Sequence, residues 1–316
     1  MAVAARVDPK SFFTPEEWAP LAARSNWKGL ALVAHCWAVI GLAWAGVIAA
    51  THYFGPVGLV TLILAVPVIG ARQLGLAILM HDAAHGALHP NLKVNDWVAE
   101  WLCSGGVERY RKYHLQHHKY AQQAEDPDLG LSAPFPITRP SMRRKIVRDL
   151  TGQTWFKERF GVARAKLKAR KKGERVLPIL TAEAWRLRRW LIVSAVVIAV
   201  TTAAGYWWAW FALWLLPRAT WFQMITRLRN IAEHALVAKD EPDPLRHART
   251  THANLIERAL LAPYYVNYHC EHHMFMHVPC WRLPKTQRLL RAKGVTGGML
   301  LAPGYPSVLR AAASRA

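Results

Sequence analysis

Histidines at regular spacing are the feature of this sequence best suited to chemistry. Nine of its 15 histidines fall into four groups. Residues three and four positions apart lie on one face of a helix, so each multi-histidine group would present its imidazoles in one direction. Neutral imidazole is the commonest metal ligand in proteins, and the pattern predicts a metal centre. The groups are His81 and His85 in HDAAH; His114, His117 and His118 in HLQHH; His234 in RNIAEH; and His269, His272 and His273 in HCEHH.

The number of grouped histidines indicates two metal ions rather than one. A single zinc ion takes three or four ligands, whereas nine imidazoles would give two ions four or five nitrogens each. Imidazole suits iron, copper, nickel and zinc, so ligand type alone leaves the metal open. The membrane setting described below favours iron, because zinc has no redox chemistry and iron can use O₂ to attack an unactivated C–H bond.

Acidic residues beside these groups are candidates for orienting the imidazoles. A histidine that binds a metal usually donates its other N–H to a carboxylate or a carbonyl. The alternative for each acid is a helix cap or a surface charge. We predict the orienting role for Asp82, Asp126, Asp128, Glu233 and Glu271. His277 is expected to be structural or to orient a ligand, and His89 to lie outside the site.

The elements that must position these side chains have the composition of membrane helices. The chain is 53% hydrophobic and yet carries a formal charge of +21, so apolar and basic blocks must alternate, as in a membrane protein with one basic side. Four apolar stretches are predicted to span the bilayer as two pairs within residues 29–80 and 187–226. Arg72, in the second stretch, is expected to face protein because a central Arg is costly in lipid.

The loops predict the orientation of these spans. The turns at 51–56 and 204–205 lack Lys and Arg, whereas residues 1–28, 81–186 and 227–316 hold nearly all the positive charge. The positive-inside rule places these three segments in the cytoplasm. All four histidine groups then lie at one membrane face. The predicted fold is a single all-α membrane domain over residues 1–316, with four transmembrane helices and a cytoplasmic helical cap.

Three smaller features carry expectations of their own. Residues 97–107 are too short to span and are expected to form a re-entrant or interfacial helix. The basic run 164–175 is interpreted as a solvated face near anionic lipid or, alternatively, as a docking site for an acidic electron donor. Arg218 follows Pro217 inside the fourth span, and either extends towards the interface at a kink or faces a substrate or electron path.

Composition excludes several other classes of protein. An apolar content of 53% with 15 Trp is incompatible with disorder, and four cysteines are too few for a disulfide scaffold. The basic charge could indicate nucleic acid. We expect no nucleic-acid partner, because the basic runs flank apolar segments and no nucleic-acid motif appears.

The ordered motifs HDAAH, HLQHH and HCEHH resemble the three histidine boxes of the membrane fatty acid desaturase and hydroxylase superfamily. The resemblance covers roughly residues 70–285. It implies four transmembrane helices, two irons held by histidines alone, O₂ as co-substrate, and two electrons per turnover. It also implies that His234 binds metal and that Asn230, four residues earlier, reaches the metal through water.

Departures from the family pattern limit which type of desaturase or hydroxylase the sequence resembles. The third box begins with His269 rather than Gln, which argues against the front-end acyl desaturases, and no fused cytochrome-b-type domain is visible. Electrons are therefore expected from a separate donor, such as an acidic ferredoxin drawn to the basic cytoplasmic face. HDAAHG, EDPDL and WRLP also resemble bacterial carotenoid ketolases and hydroxylases. The substrate, a membrane lipid or a carotenoid, stays open, as does the oligomeric state.

Two functions remain in competition. The first is a di-iron lipid oxygenase, with fatty acyl desaturation favoured over hydroxylation or ketolation. The second is a histidine-rich membrane metal transporter or sensor, which would need ionisable groups along a path through the spans. The grouped histidines lie instead at the predicted cytoplasmic ends of the spans, and the spans hold few ionisable groups.

If the protein is bacterial, the inner membrane is the expected location.

Overall fold

The computed structural model of the chain describes residues 6–132, 134–170 and 175–315. The described residues are mostly helical. The helices of the first half are α1 (Pro15–Ala22), α2 (Lys28–Phe54), α3 (Leu62–Ala84), α4 (Leu92–Trp101), α5 (Val107–Lys119), α6 (Leu129–Ser132), α7 (Arg139–Leu150) and α8 (Gln153–Ala169). Those of the second half are α9 (Leu177–Ala203), α10 (Leu216–Ala219), α11 (Trp221–His234), α12 (Leu255–Leu260), α13 (His269–Met274), α14 (Leu283–Ala292) and α15 (Tyr305–Ala312).

Short elements complete the fold. Two three-residue strands, β1 (Arg249–Thr251) and β2 (Leu300–Ala302), pair in parallel, with Thr250 opposite Leu301. A π-helical turn covers Phe211–Leu215. The 3₁₀ turns are Pro9–Ser11, Gly55–Thr61, Pro244–Arg246, Pro263–Tyr265, Cys280–Arg282 and Val295–Gly297.

The chain divides into two compact units, each assembled from segments that are distant in sequence. The first unit comprises Met1–Val39, Ala71–Arg143 and Ile225–Ala316, and the second comprises Ile40–Gly70 and Arg144–Met224. All the grouped histidines belong to the first unit.

One helical stretch among the described residues, Lys28–Ala84, is long and apolar enough to cross a membrane. It contains both spans of the first predicted pair. Several of its apolar side chains are exposed, with Leu42 73%, Ile63 71% and Leu64 75% accessible. Exposed apolar surface of this extent is typical of an interaction surface, such as one facing lipid.

The second predicted pair has a different form. Helix α9 begins ten residues before the expected span. Its first half contains Glu183, Arg186, Arg188 and Arg189, so its longest uncharged run is 190–203. The region expected to form the fourth span is divided into the π-helical turn, α10 and α11, with a break at Thr220, where φ is −118° and ψ −85°. Pro217 has no N–H to continue the helical ladder. The arrangement of four spans with a cytoplasmic cap therefore stays a prediction.

The two arginines of the predicted spans are both accommodated by protein. Arg72 is 8% exposed, and its Nη2 donates to the carbonyl of Ala259 at 2.6 Å, near the C-terminus of α12. A helix C-terminus carries partial negative charge, which offsets the cost of burying the guanidinium as expected. In the second unit, the guanidinium carbon of Arg218 lies 3.7 Å from the centre of the Phe222 ring.

Residues 97–107 do not form the single re-entrant or interfacial helix that was expected. Helix α4 ends at Trp101, and α5 begins at Val107. Between them, Gly105 and Gly106 both have φ of 74°, a left-handed conformation that favours glycine. The Glu100 carboxylate accepts hydrogen bonds from the backbone N–H groups of Gly106 (2.6 Å) and Val107 (3.2 Å). The segment is a tight turn that starts the helix of the second histidine group.

The basic run 164–175 lies partly outside the described residues. Its described part continues α8 as far as Ala169. The interpretation of this run as a lipid-facing or donor-docking surface therefore stays a prediction.

Three sets of contacts in the first unit bring the histidine-bearing elements together. Arg111 of α5 donates from Nε to the carbonyl of Ala84 (2.9 Å) and from Nη2 to that of Ala83 (3.0 Å), which caps the C-terminus of α3. Buried Arg249 of β1 similarly donates to the carbonyl of Ala235 (2.8 Å), just after α11. Cationic donors at helix C-termini satisfy the last carbonyls.

The third set holds the start of α13. The backbone N–H of Thr251 donates to the carbonyl of Asn267 (3.0 Å), and the Asn267 side chain donates back to the carbonyl of Thr251 (3.0 Å). The N–H of Cys270 donates to the hydroxyl of Thr250 (3.2 Å). Strand β1 thus ties the third histidine group to the end of α11, where His234 lies.

Candidate metal centre

The structure brings the nine grouped histidines together in two clusters. Within each cluster, one ring nitrogen from every residue lies within 4.8 Å of the others, and eight of the nine side chains are buried, the exception, His273, being half-buried. Each cluster draws on several elements distant in sequence. The five-histidine cluster contains His81, His85, His114, His118 and His272, and the four-histidine cluster contains His117, His234, His269 and His273.

Helical spacing explains how each group serves the clusters. HLQHH lies on α5 and HCEHH on α13, so the i, i+3 and i+4 residues share one face as predicted. His81 lies in the last turn of α3, and His85 follows the end of that helix. Both multi-histidine helices divide their residues between the clusters: α5 gives His117 to the smaller one, and α13 gives His272 to the larger.

The facing nitrogens have the spacing that ligands adopt around a common ion. Nε2 of His118 lies 3.0 Å from Nε2 of His114 and 3.1 Å from Nε2 of His272. In the smaller cluster, Nε2 of His234 lies 2.9 Å from Nε2 of His269. Adjacent nitrogens bound at about 2.1 Å from one ion would be separated by about 3 Å.

Unpartnered buried nitrogens also fit a bound metal. Neither ring nitrogen of His81 or His85 has a hydrogen-bond partner within the described part of the chain, although both side chains are buried. A buried polar group without a partner is costly, and a metal ion would satisfy these nitrogens. An all-imidazole donor set fits iron, and it fits copper, nickel and zinc equally well.

Burial keeps the imidazoles in the form that binds metal. Removal from water, reinforced by neighbouring rings, lowers the pKa of His114, His118 and His272 well below the usual histidine value. The same cause lowers the pKa of His269 and His273. These rings are therefore neutral at pH 7, and each retains a nitrogen lone pair for a metal.

Asp126 makes the orienting contact expected of an acid next to a ligand. Its Oδ1 lies 2.8 Å from Nδ1 of His117, and both side chains are 1% exposed. The same carboxylate accepts the backbone N–H groups of Gln122 (2.9 Å) and Asp128 (2.8 Å). His117 is thereby held with Nε2 directed towards His273, 3.3 Å away.

Asp128 and Glu233 also lie beside the clusters. Oδ2 of Asp128 is 3.7 Å from Nδ1 of His117, and its Oδ1 accepts the hydroxyl of Tyr113. Oε2 of Glu233 is 3.6 Å from Nε2 of His269. Burial raises the pKa of Glu233 to about 7.

Asp82 and Glu271 differ from the expectation, because their main contacts are with other groups. Asp82 accepts the backbone N–H of Cys280 at 2.8 Å, and it lies 3.7 Å from Nδ1 of His81 without a hydrogen bond. Glu271 accepts the hydroxyl of Thr250. Sequence proximity suggested both, but the hydrogen bonds that their carboxylates accept come from Cys280 and Thr250.

Asn230 lines a small polar cavity beside the clusters, of about 30 Å³. Its Oδ1 accepts a hydrogen bond from Nη2 of Arg229 (2.8 Å). A volume of this order holds a water molecule. The water-mediated contact implied by the resemblance remains a prediction. The cavity is lined by His81, Tyr110, His114, His117, Asp128, Arg229, Asn230, His234 and His269.

Sequence reasoning missed three residues that border the site. The Tyr110 ring stacks on His114, with centroids 5.3 Å apart and planes 9° from parallel. Gln122 brings Nε2 to 3.5 Å from Nδ1 of His234. Arg229 lies 3.2 Å from Glu233 and lines the cavity. Of these three residues, only Tyr110 could have been predicted from the sequence to border the site, because it precedes His114 by one helical turn.

The two ungrouped histidines near the boxes lie outside both clusters. Nδ1 of exposed His277 lies 3.2 Å from the carbonyl oxygen of His85, a structural contact. The ring of His89 interacts with the backbone of Asn91, at the start of α4.

Comparisons with known proteins agree on one family. A family model described as "Fatty acid desaturase" matches residues 58–303. Dihydrorhizobitoxine desaturase from Bradyrhizobium elkanii is 25% identical over 244 residues, which are 72% of this chain and 66% of that protein, just under two thirds of its length. Beta-carotene ketolases from Paracoccus strains PC1 and N81106 are each 26% identical, over 68% and 71% of this chain and 75% and 76% of their own lengths.

Proposed function

Because the chain belongs to the fatty acid desaturase family, an oxidoreductase family of desaturase and hydroxylase type, we propose that it is a membrane enzyme that uses two irons and O₂ to oxidise a lipid. The observation that carries the proposal is the convergence of nine histidines from distant segments into two adjacent clusters. The rings of His118 and His273, which belong to different clusters, have centroids only 4.3 Å apart.

Two iron ions, when bound, would supply the redox chemistry that removes hydrogen from an unactivated C–H bond, with O₂ and two external electrons. The chain supplies the ligands and their orientation. His114 and His118 provide neutral nitrogens from one helix face, and Asp126 fixes the ring of His117. Tyr110 limits the movement of the His114 ring by stacking on it.

The reaction proposed for this centre is desaturation of a fatty acyl chain. Removal of two hydrogens from neighbouring carbons gives the double bond. These two hydrogens, two donor electrons and two protons from solvent together reduce one O₂ to two waters. The second candidate is ketolation or hydroxylation of a carotenoid. The similarity to two beta-carotene ketolases over about two thirds of this chain supports this second candidate. Both substrates are long, apolar and delivered from the membrane.

Membrane location and topology form part of the proposal. The apolar stretch Lys28–Ala84 supports insertion. We propose four spans, with both termini and the histidine clusters in the cytoplasm, and the bacterial inner membrane as the location if the source is bacterial. A separate ferredoxin-like protein would deliver electrons at the cytoplasmic face, to which a net charge of +21 would attract an acidic donor.

A metal transporter or sensor is supported less well by the geometry. A transport path needs ionisable groups in succession through the spans. The grouped histidines instead form two closed clusters whose nitrogens converge on two centres.

Expression in a host with defined lipids, with and without β-carotene, tests the proposed reaction. Mass analysis is expected to find an acyl chain that has lost two hydrogens, whereas an added carbonyl oxygen on the carotenoid would assign the second candidate. The His272→Ala variant is the inactive control. Unchanged lipids and carotenoids in the presence of O₂ and a competent electron donor would contradict both reactions.

A further inference from the structure

Helix α4 presents two exposed tryptophans on one face. Trp97 and Trp101 lie four residues apart, and their side chains are 57% and 55% accessible. Lys93, one turn before Trp97, is exposed on the same face. The opposite face carries the buried residues Asn95 and Val98. Two exposed indoles next to each other indicate a surface that contacts another apolar phase or molecule.

The residue types on this face fit the boundary between lipid and water. Tryptophan is enriched at that boundary, because its ring is apolar and its N–H can donate to water or to a headgroup. Lys93 can lay its carbon chain along apolar surface and place its ammonium among lipid phosphates. A helix with one aromatic face and a basic residue is typical of elements that lie in the plane of the interface.

The position of α4 along α2 points to the same layer. Nε1 of Trp37, on α2, donates to the carbonyl of Leu102, which directly follows α4, at 2.7 Å. Just before Trp37, Nδ1 of His35 lies 2.8 Å from the hydroxyl of Tyr264, so this part of α2 contacts protein. Five residues beyond Trp37, Leu42 is 73% exposed. The end of α4 therefore lies where α2 passes from protein contacts to exposed apolar surface.

Hydrogen bonds hold α4 with its aromatic face outwards. Nδ2 of Asn95 donates to the carbonyl of Ala83, between the two histidines of the first group, at 2.9 Å. Nη1 of Arg111, on the helix of the second group, donates to Oδ2 of Asp96 at 3.0 Å. These contacts connect α4 to the elements that carry two of the histidine groups, and they leave Trp97 free of that packing.

We propose that α4 is an interfacial helix that inserts Trp97 and Trp101 into the headgroup layer of the cytoplasmic leaflet. The inference rests on the membrane location proposed above and goes beyond it, because it assigns a lipid contact to one face of one helix of the first unit. The interfacial element is then α4 itself, which ends at Trp101, and not the longer segment 97–107.

A spin label on α4 tests the contact with lipid. Cys103, the half-exposed cysteine, is first replaced by Ser, since Cys36, Cys270 and Cys280 are buried and protected from the label. A nitroxide is attached to Trp97→Cys, and the full chain is placed in nanodiscs of phosphatidylcholine and phosphatidylglycerol. Power-saturation EPR measures how often the nitroxide collides with O₂, which concentrates in lipid, and with a water-soluble nickel chelate.

Two exposed positions provide the reference values. Leu42→Cys, in the apolar part of α2, gives the value for lipid, and Arg288→Cys, on the exposed basic face of α14, gives the value for water. The ratio of O₂ to nickel collisions at Trp97→Cys is expected to exceed the ratio at Arg288→Cys and to stay at or below the ratio at Leu42→Cys.

Two results would overturn the inference. A ratio equal to that of Arg288→Cys would show that the face is in water. Infrequent collisions with both reagents would show that protein covers it, such as a second copy of this chain. If Trp97→Cys does not accumulate, Trp101→Cys replaces it with the same expected result. A label at Leu42→Cys that collides freely with the nickel chelate would instead contradict the proposed membrane location, so the two failures are distinguishable.

Discussion

Nδ1 of His117 lies 2.8 Å from Oδ1 of Asp126, and this contact joins the four-histidine cluster to the loop that follows α5. The carboxylate also accepts two backbone N–H groups of that loop. It therefore makes the position of one imidazole depend on the fold of a segment that contributes no histidine.

Asp126→Asn is expected to weaken binding of one iron by about 10–100-fold, because the orienting hydrogen bond to His117 loses its charge. Iron titration of the purified variant checks this. Glu108→Gln is the control, since Glu108 lies on α5 with His117 but forms an exposed ion pair with Lys112. Wild-type affinity in Asp126→Asn would show that the contact does not support metal binding.

His118→Ala and His272→Ala should each abolish product formation while the protein still inserts in the membrane. Both residues belong to the five-histidine cluster, with their Nε2 atoms 3.1 Å apart. Product analysis and membrane fractionation measure the two effects. His52→Ala, which alters an exposed histidine outside both clusters, should retain activity. Near-normal turnover by either cluster variant would count against the site.

The local features of the site were predictable from the sequence, whereas its assembly was not. The spacing of His114, His117 and His118 depends only on the geometry of one helix, and α5 forms as expected. The contacts that align the helices, such as Arg249 with the carbonyl of Ala235, join segments whose proximity exists only in the folded chain. For the same reason, adjacency to His272 gave no indication that Glu271 would accept a hydrogen bond from Thr250.

Hydropathy alone did not predict where the helices are interrupted. The apolar content of residues 206–225 gave no sign of the π-helical turn or of the break at Thr220, although a kink at Pro217 was one of the two alternatives predicted for this span. Gly105 and Gly106 similarly indicated a turn within the segment predicted as a re-entrant or interfacial helix.

Gly75→Ala should destabilise the first unit by about 1–3 kcal/mol through overpacking. A Cβ at this position would lie 2.7 Å from Cε2 of Tyr264 and 3.0 Å from Sγ of Cys36. Tyr264 is held in place by hydrogen-bond contacts of its hydroxyl with His35 (2.8 Å) and the carbonyl of Leu32 (3.2 Å). The measurement is thermal unfolding in detergent.

Gly46→Ala is the matched control, because its added Cβ would meet nothing within 4 Å. An unfolding temperature equal to or above wild type is expected for this variant. Equal behaviour of the two variants would contradict the close packing of Tyr264 on α3.

Removal of metal should lower the unfolding temperature, because an ion that binds only the folded chain stabilises it by mass action, by about 2.7 kcal/mol per site at a hundredfold excess over Kd. Thermal unfolding before and after chelation measures the effect. Readdition of Fe(II) under anaerobic conditions should restore the original value. A transition unaffected by chelation, in protein shown to have lost its metal, would mean that the clusters do not depend on ions for stability.

Iron analysis of anaerobically reconstituted wild-type protein tests the central claim most directly. Nine imidazoles in clusters of five and four predict two irons per chain, both lost from a variant in which His118 and His273 are replaced together by Ala. A single ion per chain, or two ions retained by that double variant, would contradict the proposed centre.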